Sequence, residues 1–237
     1  MPGKNIKLAV DIRDLRIAKT GARTYLSEIL HHWPELSAVE LVPIDTSLPV
    51  YTGKNRIGKF FEHIQYQWWK QVILPIRAKN YKCTHLLCTD FFLPFYKRGL
   101  KTVTVLHDAF FWESPSHYNP IWLQLFLKLA VPAAKKADAI LVPSKYVKER
   151  LLSFEDFNPS KMHVIYEAAK TFSQVQPHIT THLESHQPYF FHLGVFEKRK
   201  NLPFLIQAFA IVHKQYPNYK LVLAGNTPTK ENLNDKP

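Results

Sequence analysis

The chain has 237 residues, 46% of them hydrophobic, with 16 Phe, 11 Tyr and 5 Trp. That much apolar surface offsets the entropy of ordering and excludes a disordered chain, while only seven glycines and no short-period self-similarity exclude a fibre or a repeat array. The net charge of +12, from 31 Lys and Arg against 19 Asp and Glu, admits nucleic acid, an anionic membrane surface or a phosphorylated small molecule as partner, and the cations form no polybasic block.

The first predicted element is a strand over Ile6 to Ile12, followed by Thr20-Gly21 and a helix carrying Tyr25, Leu26, Ile29, Leu30 and Trp33 at helical spacing. Val39 to Ile44 reads as a second strand, so the chain opens with a βαβ unit. The pattern over 57–77 predicts one long amphipathic helix. Ile57, Phe60, Phe61, Ile64, Trp68 and Val72 share its apolar face, which is read as core packing. Its basic flanks, Lys54, Arg56, Lys59, Lys70, Arg77 and Lys79, leave a second reading in which this helix rests on an anionic membrane.

Strands follow at Thr84 to Cys88 and Lys101 to Leu106, and a helix over roughly 120–136, with Pro132 kinking or re-starting it. Ala139 to Val142 is a buried strand, Ser144 caps the next helix, and Met162 to Ile165 closes the series. Strands alternating with helices predict an α/β protein whose parallel sheet is covered on both faces.

Residues 166–187 break the pattern, giving a first domain over 1–170, a linker over 171–187 and a second domain over 188–237. The βαβ pattern restarts there, with a strand at Tyr189 to Leu193, a helix from near Asn201 and a strand at Tyr219 to Ala224. A unit of this size cannot bury both faces of its sheet, so the second domain is expected to be incomplete: a truncated chain, or one that another chain completes.

No apolar run approaches the roughly 18 residues of a membrane-spanning helix. Ile6 to Val10 is also too short for a signal-peptide core, which points to a cytoplasmic protein. Cys83 and Cys88 flank a strand with no further thiols, and read as reduced structural cysteines. The scattered histidines suggest no metal site.

Ligands of open parallel sheets bind beyond the carboxyl ends of the strands. The polar residues at those ends are Asp11, Arg13 and the Gly21 loop, then Asp90, His107-Asp108 and Ser144, and in the second domain Gly194 to Asn201 and Gly225. Between Gly194 and Asn201, Lys198, Arg199 and Lys200 stand between a strand end and a helix start. Free N–H groups and the helix dipole already favour anions there, so the segment reads either as a diphosphate cradle or as a solvated charged loop.

The segment HLGVFEKRKNLPFLIQAFAIVHKQYPNYKLVLAG closely resembles the opening of the donor domain in family 4 retaining glycosyltransferases of the GT-B fold. Upstream, VDIRDLRIAKTGARTYLSEIL, VTVLHDAFFWESP, AVPAAKKADAILVPSKYVKERLL and VIYEAA resemble further family motifs in the right order. The resemblance implies two Rossmann-like domains, with an acceptor bound mainly by the first and a nucleotide sugar by the second. It implies that Lys200 neutralises the donor diphosphate, with Arg199 beside it, and that His107 is the active-site histidine near the transferred sugar. It further implies that Gly21 lets the backbone approach the donor phosphates and that Gly194 opens the phosphate loop, with Asp108 and Asn201 read as supporting residues of their turns. Some members have an arginine directly after the glycine that Gly194 matches. Here Val195 stands there, so Lys198 or Arg199 shares the task or that charge is missing.

The resemblance implies hexose transfer with retention, mannose being the first expectation, from GDP- or UDP-hexose to a glycan or lipid-linked acceptor. No cofactor is expected beyond the donor. The chain has no Asp-X-Asp, and fixed cations with a helix N-terminus would stabilise the leaving diphosphate without metal. The family's Glu-x7-Glu pattern is not found, and Glu231 lacks the spacing for it, so residues 1–237 alone are expected to show little or no transfer. Two other classes remain: a non-catalytic subunit completed by a separate C-terminal chain, and a basic nucleic-acid-binding protein. The latter has no helix-turn-helix, zinc-finger or RNP signature to support it.

Overall fold

The apolar runs of the first 171 residues become six parallel strands: β1 (Ile6–Asp11), β2 (Val39–Ile44), β3 (His85–Cys88), β4 (Lys101–Val105), β5 (Ala139–Val142) and β6 (Met162–Val164). They lie in the order β2-β1-β3-β4-β5-β6. This is a computed structural model, and it describes residues 6–18, 21–33, 38–51, 53, 55–168, 188–196 and 200–225. Two compact units result, Met1–Thr171 and Phe172–Pro237. Pro43 pairs with Val10 in β2, the edge strand, where a residue without an N–H leaves no ladder bond unmade on the open side.

The helices α1 (Asp14–Ile17), α2 (Gly21–His32), α3 (Arg56–Trp68), α4 (Leu74–Asn80), α5 (Phe110–Glu113), α6 (Pro120–Lys135) and α7 (Lys145–Phe154) connect the strands. Strand alternation divides the core. Ala9, Leu86 and Cys88 pack with Trp69, Leu74 and Phe126 on one side of the sheet. Leu8, Val10, Leu87 and Val105 pack with Leu26 on the other. Burying Leu26 completely is worth about 1.5–3 kcal/mol, which ties α2 to the sheet. Both cysteines are free and buried, and burial pushes the Cys88 thiol far up, so it stays protonated and inert.

Two expectations change. The helix predicted over 57–77 is divided by a π-helical turn, Trp69–Ile73, between α3 and α4. From that turn onward, Trp69, Lys70, Leu74 and Ala78 face the sheet and fill the space against it. The α3 side chains Ile57, Phe60, Phe61, Ile64 and Trp68 are therefore not core; they are between 50% and 66% exposed. Pro132 does not re-start α6, which runs unbroken from Pro120 to Lys135 because the proline lies in its last turns and removes a single ladder bond. Asn119 caps that helix, accepting from Trp122 N–H at 3.1 Å, and Ser144 caps α7 by accepting from Val147 N–H at 3.1 Å.

The second unit contributes β7 (Tyr189–Leu193), α8 (Leu202–Gln215) and β8 (Lys220–Ala224), with β7 and β8 parallel. Phe190 packs edge-on against Phe209 at 6.0 Å and against Tyr219 at 5.8 Å. Gly194 N–H donates to Ala224 C=O at 2.9 Å, and the Gly194 carbonyl stands where a Cβ on Gly225 would have to be. Gly225 is thus required by close backbone approach.

Candidate active site

The strand order of the first unit reverses between β1 and β3: the chain leaves β1 for β2 on one side and returns to β3 on the other. A crevice forms at such a switch point, beyond the carboxyl ends of the two strands. Asp11 ends β1 and Asp90 follows β3 on either side of it. Lys70, on the π-helical turn and 2% exposed, bonds both, reaching Asp11 Oδ2 at 2.8 Å and Asp90 Oδ1 at 2.9 Å. Burial alone would push the Lys70 ammonium down; Asp11 and Asp90 outweigh it and hold it well above the ordinary lysine range.

The remaining acceptor positions of these carboxylates are largely filled. Asp11 Oδ1 accepts from Trp69 Nε1–H and from Arg13 N–H, both at 3.1 Å. Asp90 Oδ2 accepts from Tyr66 O–H at 2.5 Å, and its Oδ1 also accepts from Phe92 N–H at 3.2 Å. Arg13, itself buried, pairs with Glu62 and lies 4.8 Å from the centre of the Tyr66 ring. Asp14 lies within the same field. Burial, and then the Asp90 charge, push its carboxyl up to about 6.

This cluster borders a cavity of about 600 Å³. Arg13, Glu62, Tyr66 and Asp90 line its polar side; Phe91, Phe111, Trp122 and Phe126 line its aromatic side, and Phe92 contacts both Tyr66 and Phe126. The volume is that of a small-molecule site.

Asp11, Arg13 and Asp90 were readable as strand-end residues, and the structure brings them together. The strand-end rule does not reach Glu62, Tyr66 and Lys70, the last of which reads in the sequence only as a basic flank. Their signal was present: they are four residues apart in succession, a polar stripe on a helix otherwise noted for its aromatics. Lys70 and Arg77 had been counted among cations available to a membrane; both are turned inward. Arg77 donates to Asp45 C=O at 2.7 Å and to Ser47 Oγ at 3.0 Å. Lys54 and the Arg56 side chain lie outside the described residues.

His107 follows β4. Its Nδ1 is 3.7 Å from Glu167 Oε1, its ring meets Tyr25 edge-on at 5.0 Å, and its Nε2 is shielded from water without a partner. A buried polar atom left unpaired costs on the order of 1–3 kcal/mol, and a ligand hydroxyl would satisfy it. Asp108 accepts from Phe110 N–H at 3.1 Å and holds the turn. Gly21 begins α2, is exposed, and has no atom within 4 Å of a Cβ built on it, so packing does not require glycine there. In the second unit Lys200 is exposed, and Asn201, in the left-handed region at φ 50°, precedes α8 without a side-chain cap. Arg199 and Lys198 lie outside the described residues, as does Glu231. The His107 side and the Lys200 side belong to different units. Among the described residues no group of three His, Cys, Asp or Glu is placed to hold a metal ion, and no helix is long and apolar enough to cross a membrane.

Comparison with known proteins follows the same division. No curated protein matches the sequence significantly. Among solved structures the chain is similar to a lipopolysaccharide outer core galactosyltransferase, WaaB, in its apo form, at 12% identity and a TM-score of 0.46, covering 83% of this chain and 56% of that one. The chain therefore spans little more than half the length of that enzyme. Residues 178–236 match Glycosyl transferases group 1. Residues 21–171, well over half of the chain, match Glycosyltransferase Family 4, and to that glycosyltransferase family the chain belongs.

Proposed function

We propose that the chain serves the transfer of a hexose, mannose first among the candidates, from GDP- or UDP-hexose to a glycan or lipid-linked acceptor, with retention and without metal, residues 1–237 alone showing little or no turnover. The observation that carries this reading is the succession of two family matches, acceptor-side residues 21–171 and donor-side residues 178–236. Breaking the anomeric C–O bond leaves negative charge on the diphosphate. Lys200, just ahead of α8, with Arg199 next to it in sequence, supplies cations for that charge, and the start of α8 supplies free N–H groups. Exposed Gly21 leaves room for a donor phosphate to approach the start of α2. His107 orients a hydroxyl at the reacting centre through Nε2, with Asp108 holding its turn; in the second unit Asn201 takes the left-handed position ahead of α8. The reaction is placed in the cytoplasm, at the inner face of the membrane where the acceptor is lipid-linked.

Release of free nucleotide and binding of each donor are measured for residues 1–237 with GDP-mannose, UDP-glucose and UDP-galactose. Lys200→Ala is expected to weaken donor binding or turnover by about 10²-fold. No binding of any donor would overturn the reading. A second reading, a half-enzyme completed by a separate chain, is favoured by apolar side chains left open in the second unit: Phe191, Leu193, Phe204 and Ile211 are all more than half exposed. Donor binding without turnover favours it; turnover by the purified chain removes it.

A further inference from the structure

The cavity beside the switch point is polarised in a way that selects a ligand. Its aromatic side is continuous, Phe91 with Phe111 at 5.7 Å, Phe111 with Phe126 at 4.2 Å, and Phe126 with Trp122 at 5.2 Å. That side also reaches the surface. Phe60, Leu125 and Leu129 line the cavity and are 62%, 55% and 45% exposed, and Ile121 extends the α6 stripe outward at the same four-residue spacing. A wall so poor in polar groups suits an alkyl or prenyl chain, and its open apolar edge lets the chain enter from a micelle or bilayer.

The polar side carries more carboxylates than cations: Glu62 and Asp90 line it against Arg13. Behind this lining Asp11 and Asp14 stand against Lys70, and both cations are already paired. Glu62 spends one oxygen on Arg13 and the other on Tyr51 N–H, which leaves acceptor positions open to hydroxyl donors. A phosphate placed here would meet negative charge in a site of low dielectric, whereas a sugar hydroxyl would donate to it.

We infer that this cavity holds the acceptor, and that the acceptor is an amphiphile with an apolar chain and an uncharged, hydroxyl-rich head: a neutral glycolipid, not a chain headed by phosphate. The inference rests on the transferase reading for the word acceptor alone; the cavity's preference is a binding property and is tested without donor.

Dodecyl β-maltoside, maltose and dodecyl phosphate are titrated against the full chain below their micelle concentrations, following Trp fluorescence, since Trp122 lines the site. Dodecyl β-maltoside is expected to saturate one site and to bind at least tenfold more tightly than either maltose or dodecyl phosphate. Leu125→Glu, on the lining, is expected to weaken it at least tenfold, and Leu129→Gln serves where the first variant fails to fold. Phe61→Glu, equally exposed but off the lining, is expected to change it less than twofold. Equal losses in the Leu125 and Phe61 variants would reduce the effect to adsorption on an apolar surface and overturn the proposal. Dodecyl phosphate binding as tightly as the maltoside would overturn it as well. Maltoside binding without binding of any donor sinks the transferase reading and leaves the cavity assignment standing; the converse result does the opposite.

Discussion

Replacing Lys70 by Met isolates the energetics of the switch-point cluster. The substitution keeps the unbranched stem among its neighbours and removes the ammonium that stands 2.8 Å from Asp11 and 2.9 Å from Asp90. Two carboxylates are then left facing each other, Asp11 deeply buried and Asp90 partly so. Removing one partner of a buried ion pair costs about 3–5 kcal/mol, chiefly the penalty of the charge left behind. Lys70 stays charged through the ordinary pH range because its own pKa is raised, so the deficit is expected throughout that range. Urea unfolding followed by Trp fluorescence measures it for the right unit, since Trp33, Trp68, Trp69, Trp112 and Trp122 all precede residue 171. Adding Asp11→Asn and Asp90→Asn to Lys70→Met should recover most of the loss, because Asn still accepts from Trp69 and Arg13. A deficit under about 1 kcal/mol, or no recovery on adding the two asparagines, would refute the reasoning.

Asp14→Asn is expected to act in the opposite sense. With its folded carboxyl at about 6, parent stability falls as pH rises from 4 through 6, by at most about 3 kcal/mol, and the variant should lack that slope and be the more stable of the two at pH 8. Gly225→Ala drives a Cβ into the Gly194 carbonyl; limited proteolysis should then cut the second unit readily, while Trp-monitored unfolding of the first unit stays unchanged.

The sheet was legible because each strand is an apolar, often β-branched run ending in a polar residue, as in Lys101 to Val105 before His107-Asp108. The strand ends in turn marked Asp11, Arg13 and Asp90 as site residues. What lay beyond the sequence was the partner of each face. Periodicity reveals that Ile57, Phe60, Phe61, Ile64 and Trp68 share a side, but not that the sheet is already covered by Trp69, Leu74 and Ala78. The π-helical turn that produces this exchange inserts one residue per turn without any local composition to announce it. Lys70 was hidden for a related reason: on a basic chain another lysine in an amphipathic helix reads as solvated. Only the sheet order places two aspartates against it.

That local reversal of charge bears on the chemistry. A net charge of +12 suggests a protein that attracts anions everywhere, yet the cluster at the switch point holds four carboxylates against two cations. The cations in excess occur elsewhere, among them Lys198, Arg199 and Lys200 ahead of α8. A sugar transfer asks for such a division. The leaving diphosphate gains negative charge and needs fixed cations, while the acceptor brings hydroxyls that donate and is best held by carboxylates and aromatic faces. Were both substrates bound by cations, the acceptor side would also retain phosphates and be blocked by free nucleotide. If the cavity at the switch point holds the acceptor as proposed, the carboxylates at β1 and β3 would exclude that competitor. On this account inorganic phosphate and nucleoside diphosphates inhibit by competing with the donor and leave the affinity for an uncharged acceptor unchanged.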